Sequence, residues 1–164
     1  MEIEILKKEK TPKNVIEHSK AVYKKAMIIA SNFKDADKEL IKQGALLHDI
    51  GRSKTHGINH AVEGAKIVKE YGYPKEVQNI VERHIGAGLS EKEAIKLGLP
   101  KKSYIPQTIE EKIVAHADNL LSGTKEVNID FDIAKWKRKI DEPAENIERL
   151  IELNDELIKP FERD

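Results

Sequence analysis

Leu46-Leu47-His48-Asp49-Ile50-Gly51-Arg52 sets an imidazole and a carboxylate side by side at the end of an apolar segment. Upstream, Leu40, Ile41, Ala45 and Leu47 recur at the three- and four-residue spacing of a helix. Asp35 or Asp37 offers its N-cap, and Gly51 stands just past its end. Neighbouring residues on a helix splay about 100° apart. His48 and Asp49 can therefore reach two cations, or approach one cation from adjacent directions.

The same periodicity runs outward in both directions. Val15, Val22, Ala26, Ile29 and Ala30 predict a helix over about 13–32, with Thr11-Pro12 at its start, where proline is tolerated. Residues 52–58 form a polar loop. A helix over about 59–71 stops near Gly72, and Pro74 begins another whose face is Val77, Ile80, Val81 and His84. Ser90-Glu91-Lys92-Glu93 reads as a capping box opening a short helix that ends at Gly98. Thr108-Ile109-Glu110-Glu111 offers a second such start, for a helix through Ile113, Val114, Ala117, Leu120 and Leu121. Two amphipathic segments follow, one near Ile133, Trp136 and Ile140 and one from Ile147 to Phe161. The expectation is an all-α, compact single domain over 1–164. Its site lies within about 14–122, and the C-terminal helices, about 130–162, serve as core cover or homo-oligomer contact.

Composition narrows the function classes. A chain of 164 residues buries enough apolar surface to fold without staples, and the absence of Cys removes disulfides, thiolate ligands and a thiol nucleophile. The 29 basic and 29 acidic residues cancel, which argues against an extended nucleic-acid surface. No apolar run approaches the ~20 residues needed to span a bilayer, and nothing resembles a signal peptide, so a cytoplasmic location without membrane attachment is expected.

Six residues acquire geometry from this map: His18, His48, Asp49, His60, His84 and Asp118. His18 shares a helical face with Val15 and Val22, and Asp118 lies between Val114 and Leu121, so both point inward. A buried, unpaired carboxylate is costly and demands a cation. One divalent ion held by His18, His48, Asp49 and Asp118 meets that demand, and His60 with His84 can hold a second, bridged through Asp49. Taken singly, each residue has a plainer explanation: a hydrogen-bonded core histidine, a capping aspartate, a chance dipeptide. Their joint occurrence on inward positions favours the metal.

In its order, His18, then His48-Asp49 within Leu-Leu-His-Asp-Ile-Gly-Arg, then Asp118 within Ala-His-Ala-Asp-Asn-Leu, the chain resembles the HD superfamily of metal-dependent phosphohydrolases, in its HDIG-type subgroup. The resemblance covers roughly residues 14–122. The added His60 and His84 match the subgroup that holds two metals, which implies a helical fold with Asp49 as bridge and catalytic anchor, and with Fe(II) or Mn(II) as the common ions. The runs from His56 to Ala65, Arg83 to Gly88 and Glu111 to Leu120 resemble an archaeal branch of HDIG proteins. That branch includes an iron-dependent phosphodiesterase of methanopterin biosynthesis that opens 7,8-dihydroneopterin 2',3'-cyclic phosphate. The resemblance thus implies a small cyclic phosphodiester substrate, opened by metal-activated hydroxide to a monophosphate.

Two close divalent ions acidify water and stabilise phosphoryl charge, so no protein nucleophile is needed. Arg52 and Lys54, just after the metal pair, are candidate phosphate contacts. His56 is a candidate leaving-group acid, phosphate contact or further ligand; for all three the competing reading is a solvated loop. His116, two residues before Asp118, turns about 200° away on the helix and reads as structural. Gly86 and Gly88 allow close approach of a substrate or simply terminate a helix. Tyr104 and Asn119 are candidate base or sugar contacts, or packing residues, and Trp136 is a packing anchor. The alternatives are a nucleotide hydrolase (a 5'-nucleotidase or dinucleoside polyphosphate hydrolase), a di-iron oxygenase, and a silent binding module.

Overall fold

The computed structural model describes residues 1–140 and 143–162, so residues 141–142 and 163–164 of the expected 1–164 domain lie outside the described residues. The fold is all-α. Its helices are α1 (Glu2–Lys8), α2 (Lys13–Ala30), α3 (Lys38–Leu47), α4 (His60–Glu70), α5 (Lys75–Glu82), α6 (Glu91–Lys96), α7 (Ile109–Asn119), α8 (Ile129–Lys139) and α9 (Ala144–Leu157). Among the described residues, β-structure is confined to one hairpin, β1 (Leu121–Ser122) against β2 (Lys125–Glu126). No described helix is long and apolar enough to cross a membrane.

Helix starts follow the sequence signals. Asp37, of the two candidate caps, accepts from the backbone N–H of Glu39 and Leu40. Ser90 and Glu93 form the capping box reciprocally, and Thr108 Oγ1 accepts from the Glu111 N–H. Three ends differ from expectation. α3 stops at Leu47, leaving His48 as its C-cap and Asp49 beyond it, where the chain tightens into a 3₁₀ turn over Ile50–Ser53. α5 stops at Glu82 because Arg83 leaves helical geometry (φ −105°, ψ 23°), so His84 stands just past the helix rather than on its face. α7 ends at Asn119, and Leu121 belongs to the hairpin.

The main core joins α2, α3, α5, α7, α8 and α9 through buried residues such as Val22, Ile41, Ile80, Ile113, Trp136 and Leu150. α9 buries Leu150, Leu153 and Leu157 there, so it covers the core. A second cluster gathers Leu6, Ile16, Leu47, Ile50, Val68 and Val81, and it explains α1, which the sequence reading left out. With only seven residues, α1 presents little periodicity beyond Leu6, and it is held by that burial and by Tyr71 and Tyr73 donating to Glu9 and Glu2.

Gly51 is where α4 meets the 3₁₀ turn. A Cβ on Gly51 would lie 1.7 Å from the His60 carbonyl oxygen, so the residue serves a backbone-to-backbone approach and not a helix C-cap. Gly64, one turn along α4, meets the Gly51 backbone from the other side. Two glycines thus bring the start of α4 against the end of α3, and His60 beside Asp49.

Candidate metal centre

Four helix ends and one helix face converge on Asp49. His18 projects from α2, His48 caps α3, His60 opens α4, His84 follows α5, and Asp118 lies in the last turn of α7. Asp49 divides them. Its Oδ2 faces His48 Nε2 at 3.5 Å and His18 Nε2 at 3.7 Å, and its Oδ1 faces His60 Nε2 and His84 Nε2 at 3.2 Å each. Asp118 Oδ1 closes the first group, 2.8 Å from His18 Nε2 and 3.4 Å from His48 Nε2.

The backbone fixes the tautomers. Each of the four imidazoles places Nδ1 on a carbonyl oxygen: His18 on Gly123 (2.6 Å), His48 on Ala45 (2.7 Å), His60 on Gly57 (2.9 Å) and His84 on Val81 (2.6 Å). With Nδ1–H donating outward, every neutral Nε2 turns its lone pair inward, the arrangement that orients imidazole for metal. His60 Nε2 and His84 Nε2 lie 3.1 Å apart, and His48 Nε2 is buried without a hydrogen bond among the described residues. Facing lone pairs repel unless a proton or a cation sits among them. The donor set therefore fits divalent metal, and atoms within 4.8 Å of one another occur in two groups: His18, His48 and Asp118, and His48, Asp49 and His84.

Without metal the charges answer one another. Burial raises the carboxyls of Asp49 and Asp118, but His48 and the other imidazoles outweigh it and hold both well below the usual carboxylate range. Burial pushes His48 down, yet the Asp49 and Asp118 carboxylates hold it up, to about 9. A group raised from 6.5 to about 9 is protonated at pH 7 and loses that proton only as the pH climbs through 9. Loading the metal-free protein at pH 7 should therefore release at least one proton per chain, read by titration calorimetry in buffers of different ionisation enthalpy. A loading enthalpy indifferent to the buffer would show His48 already neutral.

The centre floors a cleft of about 1370 Å³. Arg52 lines it, with Nε 3.2 Å from Asp49 Oδ2, and His56 lines it from an exposed position on the loop before α4. Lys54 does not line it. That side chain points to α1, with Nζ 3.8 Å from Glu9 Oε1, because the 3₁₀ turn directs it away. Asn119 reaches the cleft wall, whereas Tyr104 is buried in a separate cluster with Leu89, Ala94 and Leu99 and donates to the Pro100 carbonyl. His116 turns away from the centre, as its helical position requires, to Asn154 on α9 at 2.9 Å. Gly86 and Gly88 are approached by protein, Gly86 by the Trp136 ring and Gly88 by Tyr104, Ile105 and Pro106.

α8 supplies residues absent from the sequence reading: Phe131, Asp132, Lys135 and Lys139 all line the cleft. Their signal was present as spacing, since Asp132, Lys135 and Lys139 share the helical face of buried Trp136 at three- and four-residue steps. The hairpin was also absent. Gly123, in its turn, provides the carbonyl that orients His18.

The HD domain pattern matches residues 15–123, and the chain belongs to the HD domain family of metal-dependent phosphohydrolases. It is 52% identical over 148 residues to an uncharacterized protein of Methanocaldococcus jannaschii, covering 88% of each chain. It is 48% identical over 149 residues to a tRNA (cytidine(56)-2'-O)-methyltransferase of Picrophilus torridus, covering 90% of this chain and 43% of that one. The HD domain of the phosphodiesterase PgpH from L. monocytogenes shares the fold, with a TM-score of 0.60 at 21% identity over 95% of this chain and 96% of that chain. The same domain in complex with cyclic-di-AMP superposes with a TM-score of 0.57 at 19% identity over 98% of both.

Proposed function

We propose that the protein is a dinuclear metal-dependent phosphodiesterase that opens a small cyclic phosphate to a monophosphate. The observation that carries this is the division of Asp49, whose Oδ2 faces His18 and His48, the pair that Asp118 also faces, while Oδ1 faces His60 and His84. His18, His48, Asp49 and Asp118 hold one cation, and His60, His84 and Asp49 the other, with Fe(II) or Mn(II) suited to such mixed imidazole and carboxylate donors. Two cations so placed supply an acidified water as nucleophile and offset charge at phosphorus.

The chain's own residues bind and orient the substrate. Arg52, Lys135 and Lys139 gather in the cleft, and the Lys139 ammonium is held below its usual range by burial and by the neighbouring Lys135 and Arg52 charges. Among the described residues neither lysine has an ion-pair partner within 4 Å, an arrangement that favours an anionic ligand. Arg52 presents guanidinium N–H groups to phosphate oxygens, the lysines add point charges, and Asp49 holds the Nε edge of the Arg52 guanidinium. Within this class, the resemblance of the His56–Ala65, Arg83–Gly88 and Glu111–Leu120 runs nominates 7,8-dihydroneopterin 2',3'-cyclic phosphate.

A second reading, a nucleotide hydrolase on the same centre, is favoured by the cleft volume of about 1370 Å³, ample for a nucleotide, and by Phe131, which lines the cleft with 44% of its surface exposed. The test is turnover of cyclic phosphodiesters, nucleoside monophosphates and dinucleoside polyphosphates by anaerobically purified protein with Fe(II) or Mn(II) added. Ring opening of a cyclic diester, with no phosphate released from monophosphates, is the expected result; the reverse pattern replaces the first reading by the second. Arg52→Ala and Lys135→Ala should each raise KM about tenfold with metal content unchanged, since each removes a phosphate contact. An unchanged KM returns that side chain to solvent.

A further inference from the structure

Asp132 is a cleft residue that takes no part in holding metal or phosphate. It sits one turn into α8, outside the 15–123 stretch matched by the family pattern. Only 2% of its surface is exposed, its Oδ2 has no hydrogen-bond partner among the described residues, and it nevertheless lines the cleft that the metal centre floors. A buried carboxyl oxygen without a partner is a cost that folding does not need. Trp136, on the same face of α8, closes the main core without it.

Its surroundings shift it toward the protonated form. Burial pushes the Asp132 carboxyl up to about 6, and the Asp118 carboxylate adds to the rise against the pull of Lys135 and Lys139. The groups facing it are thus Lys135 and Lys139 on its own helix and Asp118 on α7, with Arg52 of the 3₁₀ turn facing Lys139.

Opening a cyclic phosphodiester leaves an alkoxide, a strong base that needs a proton as it departs. With metal held at their Nε2 atoms, the four histidines of the centre would have none to give, because each Nδ1–H is bound to a backbone carbonyl. Arg52 does not deprotonate. The Lys135 and Lys139 ammonium groups are engaged by the phosphate, which leaves His56, exposed on its loop, and Asp132, shielded in the cleft wall.

We propose that Asp132 is the acid that protonates the leaving-group oxygen, which extends the phosphodiesterase reading and rests on it. The hydroxide oxygen forms a bond to phosphorus as the bond from phosphorus to the leaving oxygen breaks. The electron pair of that bond takes the proton of the Asp132 carboxyl. The carboxylate regains a proton from water through the open cleft, so diester and water yield monoester and alcohol.

The test compares leaving groups. On adenosine 2',3'-cyclic phosphate, which leaves an alkoxide, Asp132→Asn should lower kcat by about 10²-fold or more and abolish the alkaline limb of the pH profile. On bis(p-nitrophenyl) phosphate, whose phenolate departs without a proton, kcat should fall less than about fivefold in the same metal-loaded protein. Asp132→Ala gives the same contrast if the Asn amide is not accommodated. A readout free of turnover is thermal stability: Asp132→Asn should melt higher than wild type at pH 8, with the gain shrinking toward pH 4 as the wild-type carboxyl takes up its proton. Equal losses on both esters, or a melting gain independent of pH, overturn the assignment to Asp132. Wild-type protein that hydrolyses neither ester overturns the phosphodiesterase reading, and this one with it.

Discussion

Asp49→Ala should strip the folded protein of both metals and lower hydrolysis by about 10³-fold or more, the scale of losing the nucleophile and the charge stabilisation at phosphorus together. Asp49 turns one carboxylate oxygen to each group of donors, Oδ2 to His18 and His48 and Oδ1 to His60 and His84. Without it, His60 and His84 retain only each other, with two imidazole nitrogens 3.1 Å apart. His60→Ala, by contrast, should empty only the position that it shares with His84, leaving about one metal per chain. Elemental analysis of the two variants side by side checks the difference. An Asp49→Ala protein that still holds two metals and turns over substrate would exclude the bridging role.

Gly51→Ala should have the largest effect on folding of any glycine-to-alanine change in the chain. Its new Cβ would stand 1.7 Å from the His60 carbonyl oxygen and 2.7 Å from the Gly64 backbone nitrogen, and neither is a side chain free to swing aside. Overpacking of a core side chain costs about 1–3 kcal/mol, and a clash with backbone that must move as a unit lies at or beyond the upper end of that range. Because α4 carries His60, the same shift moves His60 away from Asp49. The expected result is a loss of at least about 3 kcal/mol in denaturant unfolding, or no folded protein, with the His60/His84 metal lost first. Wild-type stability in Gly51→Ala would mean that α4 and the 3₁₀ turn do not meet as described.

Most of the helical framework was legible because it is written in local chemistry. Asp37, Ser90 and Thr108 announce helix starts through their own hydrogen bonds, and Val15, Val22, Ala26 and Ile29 mark the face that α2 buries. The convergence of His18, His48, Asp49, His60, His84 and Asp118 was legible for a related reason, since each falls on or beside an inward-facing position. Features set by tertiary contact were not. The ends of α3 and α5 and the turn between β1 and β2 depend on what lies across the chain, and Lys54 is directed toward α1, a helix too short to announce itself. α8 was read as packing because Trp136 dominates it, while the lysines and Asp132 on that same face resemble any solvated polar positions until the helix is laid over the cleft.

The central claim is that Asp49 joins two metals, and the most direct measurement is the metal content of the folded, anaerobically purified chain after equilibration with Fe(II) or Mn(II). Two ions per chain in the wild type, falling to none in Asp49→Ala, is the predicted result. A single ion per wild-type chain would contradict it, and would leave His60 and His84 as a buried histidine pair with no cation between them.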